Sequence, residues 1–141
     1  MTSTPAYDWV AHHAMVSPNR AAWADIDPLS GSPGVVSTWR EAHERVGRAA
    51  AMLRDDFGVG RGDRVAMYSQ NRVEFIEVQF ACARLGAVFV PLNWRLTIHE
   101  LDYIVSDASP TVLVADPELG DMAAELVERT HTPHLVVFSG D

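Results

Sequence analysis

From Thr38 onward the apolar positions fall at helical spacing, with Trp39, Ala42, Val46, Ala49, Ala50, Leu53 and Phe57 recurring along one face. Thr38 followed three residues later by Glu41 gives that helix a capping box. Upstream, Ser17-Pro18-Asn19 marks a turn or helix start. AAWADI and GVVSTW flank the turn-rich DPLSGSPG, the pattern of two short strands joined as a β-hairpin. Downstream of Gly58-Val-Gly-Arg-Gly-Asp63 the period switches back and forth between strand and helix. The expected series is strand 64–69, helix 71–85, strand 87–91, helix 98–107, strand 111–115, helix 117–129 and strand 135–138.

Strict βα alternation with short connections predicts right-handed crossovers and a parallel sheet covered by helices. The strands VAMY, AVFV, TVLVA and LVVF are apolar at successive positions, as strands buried on both faces should be. Thr97 with Glu100 makes a second capping box, and Asp116-Pro117 places an N-cap before a first-turn proline. The fold class is therefore α/β, an N-terminal β-hairpin and helix followed by alternating βα units.

Composition narrows the function classes. All 11 basic residues among the 141 are arginine, and the 19 acidic residues bring the formal net charge to −8. Absence of lysine excludes a Schiff-base lysine and a phosphate-loop lysine from this chain. The acidic balance disfavours nucleic acid and anionic membranes as partners. No apolar run approaches the roughly 20 residues that span a bilayer, and the start lacks a basic-then-apolar signal pattern, so a cytoplasmic location is expected. Cys82 is the only cysteine and sits within EFIEVQFACARL, where a packed thiol is expected rather than a nucleophile.

Candidate chemistry is sparse. GVGRGD follows a helix and precedes a strand, the reverse of a phosphate-cradling loop, and is expected to be a helix C-cap and turn. The six histidines are scattered and form no convincing metal set. Glu41 to Arg45 and Glu44 to Arg48 are spaced as i,i+4 surface pairs, and His99 with Asp102 as an i,i+3 contact. The position of PLNWRLT is more informative, because ligands approach the carboxyl ends of strands in open parallel sheets. There Asn93, Trp94 and Arg95 bridge a strand and a capped helix. An aromatic face beside a forked cation suits stacking and phosphate contact; the alternative is local packing of Trp94 and a carboxylate partner for Arg95.

The order of GDRVA before a strand, N-R-x-E-F opening a helix, LGAVFVPLN, and RLTIHELDYIVSDASPTVLVAD resembles the amino-terminal part of the adenylate-forming acyl-CoA synthetases. The resemblance runs from Ser17 to Phe138 and is closer to fatty-acid:CoA ligases than to peptide-synthetase adenylation domains. It implies a parent enzyme that converts a carboxylic acid and ATP, with magnesium, to an acyl-adenylate, and then transfers the acyl group to CoA. It also implies a domain division: residues 1–16 as an N-terminal segment and 17–141 as the N-terminal portion of a large domain. The family's phosphate loop, adenine motif, ribose-binding aspartate and C-terminal lysine have no counterpart in the chain. The 141 residues alone are therefore expected to carry no catalytic residue, to hold no metal or cofactor, and to be inactive. By the same resemblance, Asn93, Trp94 and Arg95 lie near where the nucleotide end of CoA rests in some members. Apolar surface left for a following subdomain leads to an expectation of self-association. A receiver-type signalling domain is disfavoured by the missing lysine; a free-standing, non-catalytic α/β interaction domain is the remaining alternative.

Overall fold

A computed structural model of the chain describes residues 8–26 and 29–139. The first element, α1 (Trp9–Val16), is one the hydrophobic pattern does not announce. WVAHHAMV shows little contrast between an apolar and a polar face, and Val10 is its buried residue. Its start is set locally, since the Asp8 carboxylate accepts the Ala11 N–H at 2.9 Å. Burial opposes ionisation of Asp8, but the Ala11 N–H and the Arg84 guanidinium outweigh it and hold the carboxyl below its ordinary value.

The hairpin follows as β1 (Ala21–Ile26) and β2 (Pro33–Thr38), antiparallel, with Ala24 opposite Val36 and irregularities on either side of the central pairs. Asp27 and Pro28 of its turn lie outside the described residues. α2 (Trp39–Asp55) begins in the expected capping box, in which Thr38 Oγ1 accepts the Glu41 N–H and the Glu41 carboxylate accepts the Thr38 N–H at 2.8 Å.

Alternation then proceeds through β3 (Arg64–Tyr68), α3 (Val73–Leu85), β4 (Val88–Leu92), α4 (Ile98–Ala108) and β5 (Val112–Ala115). A single 3-10 turn, Pro117–Leu119, leads into α5 (Gly120–Thr130), and β6 (His134–Val137) follows. The four later strands form one parallel sheet in the order β4-β3-β5-β6. Successive side chains on β3 and β5 enter opposite layers, as the two-residue period requires. Val65, Met67, Val112 and Val114 pack with Val46, Leu53, Ala81 and Cys82 of α2 and α3. Ala66, Tyr68, Leu113 and Ala115 pack with Leu101 and Val105 of α4 and Ala123 and Leu126 of α5.

Every strand and helix expected from residue 38 onward is present, with shifted ends. β4 sits one residue later than the apolar run suggests, because Gly86 ends α3 in the left-handed region (φ 68°) and the Ala87 N–H still donates to the Cys82 carbonyl. The expected helix start at Asn71 moves to Val73. The outer strands are only partly covered, so Val88 and Val137 are exposed although both lie in runs that read as fully buried. GVGRGD is the helix stop and turn expected of it: Gly58 (φ 67°) donates to the Arg54 carbonyl and Val59 to the Leu53 carbonyl. Among the described residues no helix is long and apolar enough to cross a membrane.

Candidate ligand-binding cleft

The carboxyl ends of β3, β4 and β5 meet the hairpin around a cleft of about 730 Å³. Gln70, Asn71 and Arg72 come from the segment after β3, Trp94 and Arg95 from the segment after β4, and Asp116 from the end of β5. Asp25, Ile26, Gly34 and Val35 of the hairpin form the opposite wall.

Asp116 is 1% exposed and already engaged. Its carboxylate accepts the Glu118 N–H at 3.1 Å, capping the 3-10 turn, and lies 3.5 Å from Arg72 Nη1. Arg72 also approaches Glu74 at 3.5 Å and stands 5.5 Å from the centre of the Phe138 ring, so one guanidinium ties the loop after β3 to the ends of β5 and β6. Glu118 accepts from the Gln70 amide at 3.2 Å. The acidic groups on this side of the cleft are thus held by protein donors.

Arg95 differs. Its guanidinium lies 4.9 Å over the Trp94 ring, both residues are exposed, and among the described residues it has no carboxylate partner. The Asn93 side-chain oxygen accepts the Arg95 N–H at 3.0 Å, fixing the turn that carries the two neighbours. Of the three candidates, Trp94 and Arg95 line the cleft and Asn93 shapes the loop. Arg72 and Asp116 escape a motif search, although the strand-end rule that singles out PLNWRLT applies equally to the ends of β3 and β5.

Other sequence candidates resolve differently. Arg45 does not join Glu41. It reaches across to α3, where its Nε and Nη2 donate to the two oxygens of buried Glu77 at 2.5 and 3.1 Å, while Glu41 is committed to its cap. A bidentate partner on a neighbouring helix outcompetes a solvated i,i+4 contact. Asp102 accepts from Ser106 Oγ at 3.1 Å and approaches Arg129 at 3.8 Å, an arrangement built without His99. His13 stacks on Trp39, His43 Nδ1 accepts from Arg84 at 2.8 Å, and His134 packs against Phe57. Among the described residues no three histidine, cysteine or acidic side chains converge on a metal position. Cys82 is fully buried, and burial pushes its thiol up to about 12, consistent with a packed and unreactive sulfur.

Residues 10–140 match the AMP-binding enzyme family. The chain belongs to that family. A feruloyl-CoA synthase from Amycolatopsis sp is 39% identical over 118 residues, covering 84% of this chain and 22% of that protein. The chain thus spans about a fifth of the length of the curated relatives it matches first. A solved Mycobacterium tuberculosis fatty acyl CoA synthetase superposes with a TM-score of 0.76 at 29% identity, over 93% of this chain and 26% of that one. ATP-bound MatB from Rhodopseudomonas palustris superposes with a TM-score of 0.64 at 29% identity, over 91% of this chain and 25% of that one. The mixed α/β fold with its parallel four-stranded sheet and hairpin matches these solved neighbours.

Proposed function

We propose that the chain is the N-terminal portion of an acyl-CoA synthetase, with residues 17–141 forming part of its large domain and residues 1–16 an N-terminal segment. The family match over residues 10–140, together with relatives that are CoA ligases, supports the synthetase reading. The parent enzyme would act in the cytoplasm, activating a fatty or related carboxylic acid with ATP and Mg2+ to an acyl-adenylate and passing the acyl group to CoA. The ATP held by MatB and the fatty acyl CoA chemistry of the Mycobacterium tuberculosis synthetase support the choice of reactants.

Within that enzyme the chain's part is support and recognition. Catalysis of this kind depends on positioning and on electrostatic stabilisation of phosphate charge. The buried strands β3 and β5 supply a rigid platform, and among the described residues Arg95 is the cleft guanidinium without a protein anion to neutralise it. It would take a CoA phosphate, with Trp94 bordering the adenine and Asn93 holding the loop. ATP and Mg2+ would be held by other parts of the parent polypeptide, and the 141 residues alone would be inactive.

The test is acid-dependent ATP-pyrophosphate exchange with a panel of carboxylic acids, run on the purified 141-residue chain and on a full-length polypeptide that contains it. Exchange by the full-length polypeptide and none by the shorter chain is expected. Acid-dependent exchange by the 141 residues would overturn the supporting role, and its absence from the full-length protein with every acid would overturn the synthetase reading.

A further inference from the structure

Arginines that serve only the fold make short contacts in this protein. Arg84 Nε meets Asp8 at 2.7 Å, and Arg45 donates to both oxygens of Glu77 at 2.5 and 3.1 Å, as charge-assisted hydrogen bonds do. Arg72 is held more loosely. Its Nη1 stands 3.5 Å from Asp116 and its Nε 3.5 Å from Glu74, the outer limit of a hydrogen bond, and its remaining neighbour is the Phe138 ring. Among the described residues its guanidinium has no closer acceptor. At that spacing the two carboxylates hold the group by charge without saturating its N–H donors.

The placement of Arg72 is nonetheless fixed. It is the residue from which α3 starts, in extended conformation (φ −133°), and Asp116, its buried partner, is itself pinned. The Asp116 N–H donates to the Tyr68 carbonyl at 3.0 Å while the Asp116 carboxylate accepts the Glu118 N–H, and the Gln70–Glu118 contact ties the same two loops a second time. The Asp116 side chain is 1% exposed and that of Arg72 is 31% exposed, so the anion is sunk in the protein and the cation stands in the wall of the cleft. A carboxylate at that depth needs a cation, which accounts for the pair but not for its length.

We propose that Arg72 is a second phosphate contact in the cleft, positioned by Asp116, and that it takes a different phosphate of CoA from the one met by Arg95. The nucleotide end of CoA carries anionic groups on two sides of its ribose, a phosphate on the 3′ oxygen and a diphosphate on the 5′ oxygen. Arg72 from the loop after β3 and Arg95 from the loop after β4 set two guanidinium groups in one cleft, which suits a ligand with two separate anionic groups. A planar fork can keep Asp116 on one edge and receive a phosphate on another, which a lysine ammonium cannot do with the same geometry. This inference rests on the reading of the cleft as a CoA site.

Calorimetric titration of a full-length polypeptide containing the chain, with CoA and with dephospho-CoA, which lacks the 3′ phosphate, tests it without requiring turnover. Arg72→Gln should weaken CoA binding roughly tenfold or more, as Arg95→Ala should. One of the two variants should lose the wild-type preference for CoA over dephospho-CoA, and the other should keep it. Arg72→Lys, which retains the charge beside Asp116, is the arm that remains if Arg72→Gln does not fold; its affinity should lie below wild type. Wild-type affinity in either Arg72 variant, with Arg95→Ala weakened, would overturn the role of Arg72 and leave that of Arg95 standing. Loss of the preference in both Arg72→Gln and Arg95→Ala would overturn the assignment to separate phosphates. No CoA binding by the wild type, or none of these variants weakened, would overturn both this inference and the CoA reading beneath it.

Discussion

Arg64 and Arg95 stand at opposite ends of the same parallel sheet and have opposite fates. At the amino end of β3, Arg64 is used up by the fold. Its Nε donates to the Ala108 carbonyl and its Nη2 to the Ser109 carbonyl at 3.1 Å, satisfying the end of α4 where Ser109 turns into the left-handed region (φ 45°). At the carboxyl end of β4, Arg95 rests on an aromatic face and meets no acceptor from its guanidinium among the described residues. A chain whose cations are all arginine cannot show by residue type which of them serve ligands. The distinction lies in whether the fold already occupies the guanidinium, and of this pair the occupied one is at the amino end of the sheet and the unoccupied one at the carboxyl end.

That contrast predicts a graded response to truncation. Arg45→Ala should be the most damaging, because Glu77 is left 5% exposed with its bidentate partner gone. A loss of about 2–3 kcal/mol in denaturant unfolding is expected, at the low end for a broken ion pair because Arg45 itself is 40% exposed. A change within about 0.5 kcal/mol would place this pair with ordinary surface contacts. Arg64→Ala should cost about 1 kcal/mol and loosen the last turn of α4, visible as faster amide exchange near Ser109. If Arg64→Ala and Arg95→Ala have equal effects on stability, the proposed division between occupied and free guanidinium fails.

Acid should weaken the two capping boxes. In Glu41 and Glu100 the hydrogen bonds from the Thr38 and Thr97 N–H groups, followed by those from the threonine hydroxyls, hold the carboxyls below the ordinary glutamate value of 4.5. A depressed carboxyl stabilises the fold fully above the unfolded value and loses that contribution as pH falls through the folded one. Stability should therefore hold above pH 4.5 and decline below it, and replacing Glu41 and Glu100 by Gln should flatten that decline. An unchanged acid limb in the double variant would count against the caps as its source.

Much of this architecture is legible before the coordinates because its determinants are local. Thr38 with Glu41, Thr97 with Glu100, and Asp116 before Pro117 each mark a helix start within four residues, and the apolar runs mark the strands. What stays hidden depends on distance or on a missing period. Arg45 meets Glu77 32 residues away, and Arg64 meets Ala108 44 residues away, so neither choice of partner can be read from neighbouring residues. α1 is hidden because helix periodicity needs a polar face to contrast with the apolar one, and WVAHHAMV has little. The cleft is half legible. The strand-end rule finds Trp94 and Arg95, but the hairpin wall and the engagement of Asp116 by Arg72 emerge only when distant segments fold together.

Arg95→Ala should be the mildest of these changes for the fold, with unfolding free energy within about 0.5 kcal/mol of wild type. It is also the most direct test of the role assigned to the cleft. In the full-length enzyme, the variant's apparent Michaelis constant for CoA should rise roughly tenfold to a hundredfold, the loss of one charge-assisted contact of about 1.5–3 kcal/mol, while the adenylation half-reaction stays near the wild-type rate. An unchanged Michaelis constant for CoA, or equal slowing of adenylation and thioesterification, would contradict the assignment of Arg95 to CoA.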